Sequence, residues 1–253
     1  MITLASAVLP ARSVVFYDNE ITAKLNQFAA TFGYAWWSPR AYRLDHGRKH
    51  FRYDGYPAFA YLHPNRFTPD EAIVRSYGIN PDAPYFIVRF VSWASLHDLG
   101  EEGFTLEQKR RLFRLLEPCG QIFVTSEGVL PSEFEPYRLA ISVEHIHHVI
   151  AFAHLLVGES STMASEAACL GTHSLFVSKS GRGVNYEQEE RYCLVHNFTG
   201  GTSEESLKCV QTLLSRPDLK QDAMRRRDAL LRDTIDVTGF FINYFESDCE
   251  VVD

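Results

Sequence analysis

Cysteine is scarce in this chain. There are five in 253 residues, Cys119, Cys169, Cys193, Cys209 and Cys249, odd in number and scattered, with no CxxC pair. That spacing argues against a disulfide framework and against a zinc cluster, and it fits a reducing cytoplasm. Long hydrophobic runs are missing too. No stretch approaches the length of a membrane-crossing helix. Residues 1–10, MITLASAVLP, are apolar but short, with no basic residue ahead of them, so they do not read as a signal peptide. Positive charge is not in excess. The formal net charge of −7 argues against nucleic acid and against an anionic membrane as main partners. Internal repeats and low-complexity tracts are absent as well.

What remains is an ordered globular composition, 45% hydrophobic and 23% charged, with length for one large domain or two small ones. Residues 12–18, RSVVFYD, read as a buried strand, and 22–32 as a helix. Residues 38–69 are rich in Pro, Gly and aromatics and read as a connector fixed by Phe51, Tyr53, Tyr56, Phe59 and Tyr61. A second unit begins at 85–91, YFIVRFV, whose unbroken apolar character marks a strand covered on both faces of a parallel sheet. Thr105 and Gln108 form a capping box ahead of a helix with Leu112, Phe113, Leu115 and Leu116 on one side. Residues 121–125 are the next strand. Ser142 can cap a helix with Ile146, Val149, Ile150 and Ala153 on its apolar face. Three closing helices start near Ser203, Pro217 and Asp236. The Arg225-Arg226-Arg227 run reads as a solvated helix face.

The densest signal is residues 154–177, HLLVGESSTMASEAACLGTHSLFV. It reads as a β-α-β unit: a buried strand, a hydroxyl turn at Ser160, Ser161 and Thr162, a small-residue helix ending at Gly171, and a second strand. The turn offers N–H groups and hydroxyls at a helix N-terminus, a site suited to an anion such as phosphate. Glu166 follows Thr162 by one turn on the same face, where it can accept from ribose hydroxyls. The plainer reading is an N-cap and a solvated glutamate.

Alternating strands and helices predict a doubly wound, Rossmann-like α/β sheet, in which ligands sit beyond the carboxyl ends of the strands. Four loops leave those ends. The first carries Ser92, Trp93, His97 and Asp98. The second carries Ser126 and Glu127, the third Ser160, Ser161 and Thr162, and the fourth Lys179 and Arg182. A histidine beside an acid can do acid–base work near neutral pH, so His97, Asp98 and Glu127 are the catalytic candidates, with ligand contact or a structural role as the alternatives for His97 and Asp98. Arg89, inside a buried strand, should be paired or ligand-facing. Lys179 and Arg182 suit a phosphate clamp. His145, His147 and His148 are read as structural, since 147 does not share a face with the other two.

Residues 86–117, 124–172 and the upstream YDGYPAFAYLHP resemble a family of archaeal and bacterial proteins with the glycosyltransferase-B fold, related to the UDP-N-acetylglucosamine 2-epimerases. The likeness extends over roughly residues 12–245. It implies a nucleotide-sugar site between two Rossmann-like lobes, with no cofactor and no metal. In the epimerases a Ser-Gly-Gly turn holds the diphosphate, and a Glu six residues after its Ser binds the ribose. Ser160 and Glu166 match that pattern, while Ser161 and Thr162 replace the glycines, and Thr172-His173 stands where the relatives continue Thr-Pro. A chain with two full lobes needs about 350 residues, so a shortened N-terminal lobe is expected. The implied organisation is a remnant lobe and connector at 1–69, a nucleotide-sugar-binding domain at 70–235, and a C-terminal helix at 236–253 packing back on the first lobe. The implied function is glycosyl transfer or sugar 2-epimerisation on a UDP-sugar. The alternative is a non-catalytic nucleotide-sugar-binding or assembly protein, and an incomplete first lobe suits a homodimer.

Overall fold

The computed structural model describes residues 12–20, 32–91, 103–126, 128–200 and 204–247. They form two parallel sheets. The smaller has the order β1 (Val14–Phe16), β2 (Ala35–Pro39), β3 (His50–Tyr53). The larger is built from β4 (Tyr85–Phe90), β5 (Gln121–Ser126), β6 (Leu155–Gly158), β7 (His173–Ser178) and β8 (Val195–Thr199), in the order β5-β4-β6-β7-β8. The described helices are α1 (Glu71–Ser76), α2 (Leu106–Leu116), α3 (Ile146–Phe152), α4 (Ser161–Leu170), α5 (Gly183–Glu190), α6 (Glu204–Leu214), α7 (Leu219–Arg232) and α8 (Val237–Glu246).

The larger sheet follows the sequence expectation closely. In β4, Phe86, Val88 and Phe90 pack on one face with Leu112, Phe113 and Leu116 of α2, while Tyr85 and Ile87 join the other face with α3 and α4. Both faces are covered, so the strand shows no polar alternation. The capping box forms as read. Thr105 Oγ1 accepts from Gln108 N and Gln108 Oε1 accepts from Thr105 N. Asp236 caps α8 by accepting from Gly239 N at 3.0 Å.

Three readings change. First, 50–53 is a strand within the supposed connector, and another strand, 35–39, runs into its start. β2 is buried along its whole length and pairs with a neighbour on each side. Trp36 stacks on His46 with ring centroids 4.0 Å apart, and Trp37 lies against Phe240, Phe241 and Tyr244 of α8. Pro39 takes the last position of the strand, where its missing N–H costs least. Second, Gly183–Glu190 form helix α5, an element that the sequence reading did not assign. Third, the arginine run is a solvated face only at Arg225, with Arg226 and Arg227 half-buried. Arg225 and Arg226 pair with Asp222, and Arg227 Nε donates to Cys169 O at 3.0 Å. The second closing helix starts at Leu219, with Asp218 rather than Pro217 at its threshold.

The C-terminal segment lies on the smaller sheet. Ile235 N donates to Asp54 O, Thr238 Oγ1 donates to Ala60 O, and Arg66 pairs with Asp236 at 3.1 Å. Aromatic side chains of β1, β2, β3 and α8 meet edge to face, and this cluster is continuous with the α3–α4 face of the larger sheet. Among the described residues no helix is long and apolar enough to cross a membrane.

Candidate functional site

In the larger sheet the chain steps from β4 outward to β5 and then back across to β6 on the other side. The direction of winding reverses between β4 and β6, and the crevice beyond their carboxyl ends is where such sheets bind ligands. The turn after β6 and the N-terminus of α4 lie at that point.

Ser160 is the N-cap of α4, its Oγ accepting from Met163 N at 3.3 Å. The first intrahelical bond is made by Ala164 N to Ser160 O, so the N–H groups of Ser161 and Thr162 stand at the positive end of the helix. The hydroxyls do not all face outward as the spacing suggested. Ser160 Oγ serves its own helix, and Ser161 Oγ donates to Asn185 Oδ1 at 2.5 Å. Thr162 is exposed. At the other end Gly171, in the left-handed region at φ 78°, closes the helix.

Glu166 is buried, not solvated. Tyr61 OH donates to its Oε1 at 2.6 Å, and His147 Nε2 lies 3.3 Å from the same oxygen. Burial, reinforced by the Glu166 carboxylate, pushes the Tyr61 phenol far above its ordinary range, so it remains a donor. The Tyr61 and His147 rings are 5.5 Å apart, and Phe67 lies beside His147. His147 therefore faces the site, while His145 meets Tyr77 OH and His148 accepts from Asp70 N. Spacing could not separate these roles, because the partners come from distant parts of the chain.

Arg89 follows Tyr85 and Ile87 on the α4 side of β4, half-buried, in register with Gly158 and Thr125. Arg182 is half-buried at the threshold of α5, close enough to Asp18 of the first lobe for the two charges to interact. Lys179 is exposed at the end of β7. Ser126 ends β5, where its Oγ accepts from Gly128 N at 3.2 Å, a local turn at the edge of the sheet. Ser92, Trp93, His97, Asp98 and Glu127 lie outside the described residues. Ser160, Thr162 and Glu166 thus stand on α4 at the switch point, with Tyr61 and His147 against Glu166, while Arg182 lies at the threshold of α5 and Ser126 stands apart on the edge strand.

The first lobe reaches this region directly. Glu20 Oε1 accepts from Gly183 N, the first residue of α5, at 3.1 Å, and from Arg43 N at 3.2 Å. Arg43 also pairs with Glu190 at the far end of α5 and lies over the Tyr186 ring. Sequence reading gave Glu20 and Glu159 no role in the site and named Tyr61 only as an aromatic of the connector. Glu159 had one available signal: an acid placed directly after a fully buried strand. Its carboxylate is buried and accepts from Val91 N at 2.9 Å and Phe104 N at 2.8 Å, with Lys109 Nζ 3.5 Å away. Among the described residues no group of three or more metal-binding side chains comes together.

No family model matches the chain, and no curated protein sequence matches it. Solved structures do. The wall teichoic acid polymerase TagF is 12% identical, with a TM-score of 0.51 over 89% of this chain. This chain spans 60% of the TagF chain. The spinosyn forosaminyltransferase SpnP is 14% identical at a TM-score of 0.56, over 98% of this chain and 73% of its own. A Listeria monocytogenes protein assigned as a UDP-N-acetylglucosamine 2-epimerase is 14% identical at a TM-score of 0.58, over 100% of this chain and 78% of its own. At these identities the likeness bears on architecture. With a Rossmann-like larger sheet, a three-stranded smaller one and a crevice at the switch between β4 and β6, this chain has the glycosyltransferase-B fold.

Proposed function

We propose that the protein binds a UDP-sugar in this crevice and acts on it by glycosyl transfer or 2-epimerisation. One observation carries the reading: the N-terminus of α4 opens at the switch point, with Glu166 buried one turn behind it. In this reading the diphosphate rests on the N–H groups of Ser161 and Thr162, with Arg182 and Lys179 compensating its charge. Arg89 lines the β4 side, and Ser92 and Trp93 add contacts from the neighbouring loop. Glu166 accepts from ribose hydroxyls. Its bond with Tyr61 and its contact with His147 hold the carboxylate in one orientation, which lowers the ordering cost of binding.

Both reactions need stabilisation of the departing UDP, and the helix terminus with Arg182 would supply it. His97, Asp98 and Glu127 are the proposed acid–base groups, moving a proton at the sugar or at an acceptor hydroxyl. The names of the similar structures span transferase, polymerase and epimerase, so they leave the choice of reaction open.

Calorimetric titration with UDP and with UDP-N-acetylglucosamine tests the binding. Saturable heat is expected with both, and the Ser160→Ala/Glu166→Ala pair should weaken UDP at least about tenfold, the loss of one charge-assisted hydrogen bond. Unchanged affinity in that pair would remove the site from the reading. Incubation with UDP-N-acetylglucosamine, followed for epimer or released UDP, then separates an enzyme from a binding protein.

A further inference from the structure

Glu159 occupies an unusual position. It directly precedes Ser160, and its side chain is buried beneath the turn. One oxygen accepts from Val91 N, where the chain leaves β4, and the other accepts from Phe104 N, where it comes in to the cap of α2. The carboxylate thus ties together the two ends of the β4–α2 connection, and its own backbone N–H donates to Arg89 O at 3.0 Å. Lys109 completes the arrangement, 3.5 Å from Oε1 and 4.1 Å from the centre of the Phe90 ring. Gly103 is packed so closely that a Cβ there would stand 2.2 Å from Glu159 Oε1. The surroundings are therefore shaped around this carboxylate.

A buried acid of this kind is costly unless fully paired. Burial does push Glu159 above the usual carboxylate range, with Lys109 and the two backbone N–H groups pulling the other way. Packing alone would be served by an apolar residue at 159. An acceptor with two oxygens is what joins two separate chain ends to the turn that carries Ser160.

We propose that Glu159 is the positioning residue of the crevice, holding Val91 at the end of β4 and Phe104 ahead of α2 against the Ser160 turn, so that the turn keeps its register with β4. The role rests on the nucleotide reading given above. Glu159 does not touch the ligand. It acts through Val91, Phe104 and Ser160.

Two variants test it. Glu159→Gln keeps the shape but turns an N–H group toward one of the two N–H donors. Gly103→Ala leaves the charge in place and displaces the carboxylate from Phe104 N. Hydrogen exchange followed at Val91 and Phe104, with UDP titration alongside, reads the clamp and the site separately. In both variants exchange at these two amides should accelerate about tenfold or more while amides of β6 and β7 stay protected, and UDP affinity should fall about tenfold. Lys109→Met, which spares both backbone bonds, should keep the exchange pattern and most of the affinity. Faster exchange at Val91 and Phe104 with unchanged UDP affinity overturns the positioning role, and so does unchanged exchange in both variants. A wild-type chain that binds no UDP overturns the nucleotide reading and this role with it. A wild-type chain that binds UDP while both variants bind equally well overturns this role alone.

Discussion

Acid should unfold this protein through two histidines, one buried and one half-buried. His173 and His196 lie with ring centroids 5.6 Å apart, and His173 Nε2 is 3.2 Å from Asp222 Oδ2. Burial lowers both from the ordinary 6.5 to about 4; the His196 charge adds to the effect at His173, where Asp222 opposes it, and Arg226 and Arg216 add to it at His196. A histidine that is neutral in the fold and free to protonate when unfolded stabilises the fold fully above 6.5, and that contribution is lost as the pH falls toward 4. Between pH 7 and pH 5 the unfolded chain takes up nearly one proton per histidine that the folded chain refuses. Each site then removes about 2 kcal/mol, and the pair roughly 4 kcal/mol, at about 1.4 kcal/mol per pK unit. Urea unfolding at the two pH values, followed by fluorescence of the buried Trp36 and Trp37, measures this. Carboxylates also begin to titrate in this window, so the informative quantity is the difference from His196→Phe, which keeps a ring in place but cannot protonate. Nε2 of His196 is buried with no hydrogen-bond partner among the described residues, so this substitution orphans nothing at that atom. The wild type should lose about 2 kcal/mol more than the variant between pH 7 and pH 5. Equal losses would refute the assignment of His196 as a histidine held neutral.

Three further outcomes follow from the packing. Lys220→Met removes the ammonium that donates to Ala151 O, Gly171 O and Thr172 Oγ1, and leaving those acceptors near two helix C-termini unserved should cost about 2–3 kcal/mol in chemical denaturation. Thr105→Ala breaks the capping box of α2, worth about 1 kcal/mol and visible as a small drop in the melting temperature. Gly171→Ala combines a left-handed φ of 78° with a Cβ placed 2.5 Å from Met224 Sδ, so a loss of at least about 1 kcal/mol is expected; a neutral result would mean that α4 can close in another way.

How much was legible in the sequence depended on how each element is held. Strand β4 and helix α2 were readable because burial on both faces leaves an unbroken apolar run and because the cap is encoded within four residues. Helix α5 was not. Its buried positions include Asn185 and Gln188, so no apolar stripe marks it. It is fastened by side-chain bonds instead, Asn185 with Ser161 and Gln188 Nε2 to Ser165 O. Strands β2 and β3 were hidden because Pro39 and Gly47 punctuate the segment like a loop, whereas here Trp37 forms a core with residues of α8 two hundred positions away. In the site, the Ser160 turn and Glu166 are local and could be read. Tyr61, separated from Glu166 by 105 residues, could be found only in three dimensions.

The aromatic seam between the smaller sheet and α8 bears on how a ligand reaches the crevice. Trp37, Tyr53 and Tyr244 share one apolar cluster with Leu156 and Ala164 of the larger lobe. Swinging the lobes apart as rigid halves would wet the apolar surface where this cluster meets Leu156 and Ala164, and each 100 Å² of apolar surface exposed costs about 2.5 kcal/mol. The hooks of Glu20 and Arg43 on α5 are polar and border water, so releasing them costs far less. Traffic into the crevice is therefore expected to pass along the α5 side, with the aromatic seam acting as the fixed spine of the molecule.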